Sequence, residues 1–362
     1  MRPNPLNARA VLRGIVYVLF LVTSVIAGVE ILLRLFFGNP TQFDAHRYLF
    51  ASEGAFRVIG PKLWTYAPSR ELRLLAVYQF PGARLIPTAA PHIEYDCLYR
   101  TNNLGLVEGR NFRAGDKAVV VFGDSYTEGQ GGCPWFYRLE ERFPDTPLLN
   151  GGLQGLGPLS WQLMAEHLAE TGIEIERIVV VAISNDFKRY PWAWPDGALD
   201  CMNNWRCRPD EYWQPLRPNE DAASVLSRTD ARAAARYGAH AWSWKLHQLL
   251  QLSSYGYAIG SAMLGTGARA EIGPQEIEAI KALQKYDKDV HVILVSMRDE
   301  AAFGRKNPDS LLVETMLAQA SIPYRWCTLA RRDFLPLDAH PNAKGYARLA
   351  ECVEADLHEM GY

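Results

Sequence analysis

"VVVFGDSYTEG", residues 119–129, passes from a continuous apolar run directly into Gly123, Asp124 and Ser125. An apolar run of this kind predicts a strand that is buried on both faces of a parallel sheet. Ser125 then stands where a buried strand gives way to a helix, so we expect an exposed hydroxyl in the field of a helix N-terminus. Such a position suits a nucleophile that generates an oxyanion beside it.

Strand and helix patterns alternate from this segment to the C-terminus. Further predicted strands are TPLLN, RIVVVAIS, VHVILVS and PYRWCTL. Helical spacing occurs in PWFYRLEERF, LSWQLMAEHLAETG, PQEIEAIKALQKY, SLLVETMLAQA and AKGYARLAECVEADLHEM. The alternation predicts an α/β fold in three layers, a doubly wound and mostly parallel sheet with helices on both faces.

Polar loops follow four of the predicted strands. Ligands of such sheets bind outside the carboxyl ends of the strands, so these loops should share one edge. They are residues 123–125, NGGLQGLG (150–157), SNDF (184–187) and DAHPNAKGY (338–346).

The loops carry the groups that activate a serine. His340 lies beside Asp338, and we expect the imidazole to take the proton of Ser125 while the carboxylate orients the ring. The Asn185 amide can donate a hydrogen bond to an oxyanion at the same edge. A plain structural role is the alternative for each residue: Ser125 as a helix N-cap, His340 as a surface or core histidine, and Asp124 and Asp186 as residues that bond loop backbone.

In order along the chain, the four loops resemble the sequence blocks of the SGNH/GDSL hydrolases. GDSYTEG is similar to block I, NGGLQG to block II, SND to the Gly-x-Asn-Asp pattern of block III and DAHPN to block V. The resemblance extends from about Arg100 to the C-terminus, and YRTNNLGLVEG (99–109) resembles a segment of membrane-anchored bacterial members.

The resemblance implies a flavodoxin-like SGNH hydrolase fold and a catalytic set without a cofactor or metal. Its implied catalytic residues are Ser125, His340 and Asp338, and its implied oxyanion hole is formed by Ser125, Gly155 and Asn185. Two departures stand out. Only Ala339 separates Asp338 from His340, where two intervening residues are commoner, and Ser184 replaces the block III glycine.

The first 38 residues predict a short cytoplasmic tip and a transmembrane anchor. Arg2, Arg9 and Arg13 precede an uncharged apolar run over residues 14–29 that resumes after one acidic residue. The run is close to the length of a bilayer span, and its positive flank predicts that the chain beyond about Arg34 lies on the periplasmic or extracytoplasmic side.

A cleavable signal peptide is the alternative for this segment. Residues 25–27 satisfy a loose small-residue cleavage pattern. Because the apolar run continues past them to Phe37, we favour the anchor. Both interpretations export the remaining chain.

The six cysteines agree with export, because an even number can pair in an oxidising compartment. None has the CxxC or His/Cys spacing of a zinc site. The spacing does not decide the connectivity, but the pairs that we expect are Cys201–Cys207, Cys97–Cys133 and Cys327–Cys352.

Two segments lack a clear period. Residues 39–116 mix proline, aromatic and polar residues, and we expect an irregular extension that packs on a catalytic domain of residues 117–362. An insertion at about 188–270 begins directly after Asn185 and should overhang the site. Its Trp192 and Trp194 suit stacking on sugar rings, although packing of the insertion on itself and a lipid-facing lid are alternatives.

Composition narrows the function. The chain is 48% hydrophobic and 22% charged, which indicates a large core, and a net charge of −2 without a long basic run excludes nucleic acid as a partner. We expect an envelope serine esterase that removes O-acyl groups, above all O-acetyl groups, from a glycan. The alternatives are an acyltransferase to a glycan that uses the same site, a lipase or lysophospholipase, and a glycan-binding protein without activity.

Overall fold

The computed structural model describes residues 5–37, 46–60, 63–79, 92–188, 213–238 and 272–362. Its strands, in chain order, are β1 (His46–Ser52), β2 (Phe56–Gly60), β3 (Leu63–Tyr66), β4 (Glu71–Gln79), β5 (His92–Arg100), β6 (Lys117–Gly123), β7 (Leu148–Gly152), β8 (Glu174–Ala182), β9 (Gln214–Leu216), β10 (His291–Val295) and β11 (Tyr324–Cys327). The helices are α1 (Pro5–Phe37), α2 (Ser125–Glu128), α3 (Phe136–Arg142), α4 (Pro158–Glu170), α5 (Ala222–Gly238), α6 (Pro274–Leu283), α7 (Arg298–Phe303), α8 (Pro308–Gln319) and α9 (Ala343–Glu359).

The central sheet has five parallel strands in the order β11-β10-β8-β6-β7. Counted along the chain, this is the 2-1-3-4-5 order of a flavodoxin-like sheet, whose switch point lies between its first and third strands. Those strands are β6 and β8. The predicted fold class is confirmed, with each predicted strand and helix of the regular region present at its place.

Helices cover both faces of this sheet. Along β6, Val119 and Val121 pack in a cluster with side chains of α3 and α9, while Val120 and Phe122 pack in a second cluster with α4, α6 and α8. All four side chains are fully buried. Burial of each contributes roughly 1.5–3 kcal/mol, so the apolar run favours a strand that is covered on both faces.

A second sheet occupies part of the segment that was expected to be irregular. It is antiparallel in the order β5-β4-β1, with β9 added in parallel at its far edge, and β2 and β3 form a separate pair. The expectation of irregular structure was therefore wrong for the segments that form β1 to β5. Because β4 is buried on both faces and β9 comes from far along the chain, the segment shows no simple alternation; the domain boundaries themselves stay a prediction.

The antiparallel sheet shares a core with the central sheet. Leu74 and Tyr95 belong to the same hydrophobic cluster as Val120 and Phe122. A disulfide between Cys97 and Cys133 joins β5 to the segment after α2, and a second disulfide joins Cys327 to Cys352. Both expected pairs are confirmed, whereas Cys201–Cys207 lies outside the described residues.

Helix α1 contains a segment with the properties of a membrane span. Ala10–Leu32, 23 residues long, is apolar enough to cross a bilayer, and none of it is buried against the rest of the protein. Length and composition fit a signal sequence as well as an anchor, so the choice between them stays a prediction.

Most of the predicted insertion, including Trp192 and Trp194, lies outside the described residues. Its described parts are β9 and α5, and α5 begins where the alanine-rich helix was expected. Trp213, at the start of the described part, is buried, and its indole Nε1 donates to Gln154 Oε1 at 2.8 Å. This tryptophan packs in the core.

Candidate active site

Ser125, His340 and Asp338 meet at the switch point of the central sheet. Ser125 follows β6, and the 3₁₀ turn Ser184–Lys188 follows β8. Parallel strands end at one edge, so the loops after them converge there. The loop that carries His340 reaches the same edge from the far end of the chain.

Ser125 begins the single-turn helix α2 and is capped by its neighbour. Asp124 Oδ1 accepts the N–H of Tyr126 at 2.8 Å, and its Oδ2 lies 3.2 Å from Ser125 Oγ. The N-cap is therefore Asp124, in the structural role expected of it, and Ser125 is left for other chemistry. Ser125 is only 5% exposed, less than its position predicts, because His340 lies against it.

A chain of hydrogen bonds connects the serine, the histidine and the acid. His340 Nε2 lies 2.9 Å from Ser125 Oγ, and His340 Nδ1 bonds Asp338 Oδ1. Because the carboxylate accepts from Nδ1–H, Nε2 is left as the acceptor for the serine proton. The structure brings together the three residues of the predicted catalytic set.

The short spacing between the acid and the histidine is accommodated by a tight turn. Asp338 Oδ1 accepts the backbone N–H of His340 at 3.1 Å as well as the ring Nδ1. One carboxylate oxygen thus holds both the backbone and the ring of the same residue. The departure from the commoner spacing removes no contact from the serine, histidine and acid chain.

Asp338 is buried and ionised. Burial by itself would raise its pKa, but His340, Arg47 and Tyr78 together hold the pKa of this carboxyl well below its usual range. The Tyr78 hydroxyl donates to Asp338 Oδ2 at 2.6 Å, and Arg47 Nη1 lies 3.5 Å from the same oxygen. An ionised acid at this place stabilises the imidazolium that forms when His340 takes a proton.

The backbone of the acid loop, residues 336–340, is held by side chains that the sequence did not single out. Arg298 donates to the carbonyl oxygens of Asp338, at 2.9 Å, and of Pro336. The Tyr126 hydroxyl donates to the carbonyl of Ala339 at 2.8 Å. These contacts join residues that are distant in sequence, so no local pattern could have indicated them.

The predicted oxyanion donors lie in loops at the same edge. Gly155 follows β7 with a φ of +78°, and a Cβ built on it would meet no atom within 4 Å, so its backbone borders open space. Asn185 is exposed in the 3₁₀ turn after β8, where Asp186 Oδ2 accepts the N–H of Ile183 at 2.9 Å. Asp186 caps that turn, as expected. The role of Gly155 and Asn185 stays a prediction.

A buried carboxyl group supports the turn that leads to Gly155. Glu128 Oε2 accepts the N–H of Gln154 at 2.6 Å, and its Oε1 accepts the Tyr66 hydroxyl at 2.9 Å. Burial raises the pKa of Glu128 to about 8, although these donors act in the opposite direction. Sequence reasoning missed this group, because Glu128 stands in the GDSYTEG segment without any sign that it is buried.

Within the described ranges, no three His, Cys, Asp or Glu side chains are grouped so that they could hold a metal ion. The arrangement of Ser125, His340 and Asp338 can activate a serine hydroxyl for attack on a carbonyl carbon.

Solved structures match about two thirds of the chain. They include a member of the lipolytic protein G-D-S-L family from Veillonella parvula DSM 2008, 13% identical, which covers 65% of this chain and 94% of its own with a TM-score of 0.29. A carbohydrate acetylesterase family member from Sinorhizobium meliloti is 13% identical and covers 67% of this chain and 98% of its own, with a TM-score of 0.33. A GDSL-like lipase from Bacteroides thetaiotaomicron VPI-5482 is also 13% identical, with 67% and 88% coverage and a TM-score of 0.27. No protein-family model and no curated protein matches the chain.

Replacing Gly131 with alanine should slow the reaction of Ser125 with a fluorophosphonate by at least about tenfold. The added Cβ would lie 2.7 Å from His340 Cβ and 2.9 Å from Leu335 Cδ1, so His340 must shift from the position that aligns its imidazole with Ser125. The rate is measured by timed labelling and mass spectrometry. Gly115→Ala is the matched control, because Gly115 also has a positive φ but a Cβ there meets nothing within 4 Å. Equal labelling rates for the two variants would contradict the prediction.

Replacing Glu128 with glutamine should flatten the pH dependence of stability between pH 5 and pH 8. Unfolded Glu128 loses its proton near its ordinary pKa of 4.5, whereas the folded group keeps it up to about 8. The contribution of Glu128 to the free energy of unfolding should therefore fall over this window by on the order of 3 kcal/mol. The pKa of Asp338 is lowered, so this group changes the free energy of unfolding only below this pH window. Denaturant titrations of both proteins at pH 5 and pH 8 measure the difference, and parallel pH profiles would refute it.

Proposed function

We propose that this protein is a serine ester hydrolase of the SGNH type, with Ser125 as nucleophile, His340 as general base and acid, and Asp338 as the group that orients the imidazole. The observation that carries the proposal is the hydrogen-bonded chain from Asp338 Oδ1 through His340 to Ser125 Oγ. A glycan-binding protein without activity would not need this alignment. The proposed function is also supported by the order of the four sequence blocks along the chain.

The reaction proceeds in two halves on the same residues. Ser125 Oγ attacks the ester carbonyl carbon while its proton passes to His340 Nε2, and the tetrahedral intermediate collapses when that proton reaches the leaving alcohol oxygen. The acyl group then remains on Ser125. Water attacks the acyl carbon as His340 takes its proton, and the proton returns to Ser125 Oγ when the carboxylic acid leaves.

The negative oxygen of each intermediate needs donors on the side away from His340. We assign this role to the N–H of Ser125, the N–H of Gly155 and the side-chain amide of Asn185. The helix N-terminus at Ser125 adds a favourable field. Such preorganised donors supply the largest single contribution to catalysis in most acyl-transfer sites.

The substrate that we propose is an O-acyl group, above all O-acetyl, on a glycan of the cell envelope. The location is supported by the apolar segment Ala10–Leu32 with arginines before it, and by two disulfides of the kind that persist in oxidising compartments. We propose that this segment anchors the chain with its catalytic domain on the periplasmic side. Trp192 and Trp194, directly after the Asn185 loop, are proposed as the surface on which the sugar stacks.

Acyl transfer is the second outcome that the same site supports. If a sugar hydroxyl replaces water in the second half-reaction, the acyl group moves to that sugar and no acid is released. The proton transfers through His340 are identical.

The full chain in detergent should hydrolyse p-nitrophenyl acetate and become labelled at Ser125 by a fluorophosphonate, and Ser125→Ala should lose at least about 10³-fold in activity. Products are analysed by mass spectrometry with and without an added sugar acceptor, and acetyl esters are compared with long-chain esters. Acylated sugar with negligible free acid would replace the hydrolase by a transferase, and a preference for long chains would favour a lipase. Equal rates for the native chain and Ser125→Ala would leave only a binding function.

Asn185→Ala should lower kcat by roughly 10²- to 10³-fold, because one oxyanion donor is removed while the nucleophile and base remain. KM should change little, since the bond forms in the transition state rather than in the bound substrate. Steady-state kinetics on p-nitrophenyl acetate give both constants. Asn185→Asp is a matched variant that keeps the size of the side chain and replaces the donor with a negative charge. If Asn185→Ala keeps its kcat, the assignment is wrong.

A further inference from the structure

We propose that the antiparallel sheet is part of the catalytic apparatus, with Tyr78 and Arg47 as positioning residues that hold the outer oxygen of Asp338. This inference depends on the proposed function and extends it to a segment that carries none of the four sequence blocks. Neither residue reaches the substrate in this scheme. Both act through the carboxylate.

Strand register places the two residues side by side. Arg47 of β1 is directly opposite Tyr78 of β4 in the antiparallel ladder, so their side chains leave the sheet on the same face. On that face, the Tyr78 hydroxyl donates to Asp338 Oδ2 at 2.6 Å, and Arg47 Nη1 lies 3.5 Å from the same atom. Two neighbouring strands thus converge on one oxygen.

The third strand holds the loop that carries the acid. Glu94 of β5 accepts the backbone N–H groups of Leu337, at 2.7 Å, and of Asp338, at 3.1 Å, through its Oε1. Its side chain is 2% exposed, and its other oxygen pairs with His92 Nε2 at 2.8 Å. Side chains of β1, β4 and β5 therefore bind both the backbone and the side chain of Asp338.

The tight turn at Asp338 explains why its second oxygen, Oδ2, needs donors from outside the turn. Asp338 Oδ1 is occupied by the N–H and the ring of His340, which lie on one side of the carboxylate. Oδ2 then faces the antiparallel sheet. If this buried oxygen had no donor there, the carboxylate would be driven out of its alignment with His340. Tyr78 and Arg47 fill that side, so the plane of the carboxylate is fixed from two directions.

The positive charge of Arg47 should have a measurable effect on the pH dependence of the reaction. Its guanidinium disfavours a second positive charge on His340, and it does so through a carboxylate that is 1% exposed. The Arg47 side chain is itself 42% exposed, which moderates the effect. Among the described residues, Glu94 on β5 and Arg298 on α7 are the other charged side chains that hydrogen-bond the backbone of Asp338, and neither changes in the variants below. Loss of the Arg47 charge should therefore let His340 accept a proton at higher pH.

The test compares Tyr78→Phe, Arg47→Gln and Arg47→Lys with the native full chain in detergent, by the pH dependence of kcat and KM on p-nitrophenyl acetate. We expect kcat to fall about tenfold in Tyr78→Phe and Arg47→Gln, with KM within about twofold of the native value. The acid limb of the profile should move up by about 0.5 pH unit in Arg47→Gln, which removes the charge. Arg47→Lys, which keeps the charge, should leave the limb in place.

Tyr95→Phe is the matched control. Tyr95 is a buried tyrosine of the neighbouring strand whose hydroxyl accepts from Gln130 Nε2 at 2.7 Å rather than binding Asp338. It should lose stability like Tyr78→Phe, as measured by thermal unfolding, but keep kcat and the acid limb. Equal losses of kcat in both tyrosine variants would reduce Tyr78 to a structural residue and overturn the inference.

Failure of the inference and failure of the proposed function give different results. If the native chain is active and labelled at Ser125 but the Tyr78 and Arg47 variants match it, only the inference is wrong. If the native chain is inactive, the imidazole signal of His340, assigned by its loss in His340→Gln, is titrated by NMR. A titration midpoint that does not rise in Arg47→Gln then overturns the inference independently.

Discussion

The hydrogen bond between His340 Nε2 and Ser125 Oγ is the contact on which the proposed chemistry depends, and it joins residues 215 positions apart. It forms only if the first and last loops of the parallel sheet meet at one edge. The 2-1-3-4-5 strand order, with its switch point between β6 and β8, keeps that edge open. The core on both faces of the sheet thus fixes the strands whose loops make this 2.9 Å contact.

Buried carboxyl groups do much of the local positioning around this contact. Asp124 caps the helix that begins at Ser125, Glu128 holds the backbone N–H of Gln154 before Gly155, and Glu94 holds the backbone of the acid loop. Each accepts N–H groups that a loop would otherwise have to leave to water. The cost is the desolvation of the carboxyl, which is visible in the raised pKa of Glu128.

The two sheets contribute unequally to the site. The central sheet carries Ser125 and the loops of Gly155 and Asn185, and it positions them through backbone topology. The antiparallel sheet contributes side chains alone, from β1, β4 and β5, and all of them converge on Asp338 or its loop. According to the proposal above, the antiparallel sheet, which carries none of the four sequence blocks, positions the carboxylate of Asp338.

Although the spacing left the connectivity of the cysteines open, the sequence by itself predicted the parallel α/β fold and the polar loops that carry Ser125, Asp338 and His340. These follow from local signals, since a buried strand, its end and the loop after it are contiguous residues. Only the tertiary structure decided that β1, β4 and β5 form a sheet, that Tyr78 and Arg47 reach Asp338, and that Glu128 is buried. Those facts depend on pairings such as β1 with β9 and on contacts across hundreds of residues, which leave no periodic pattern in the chain.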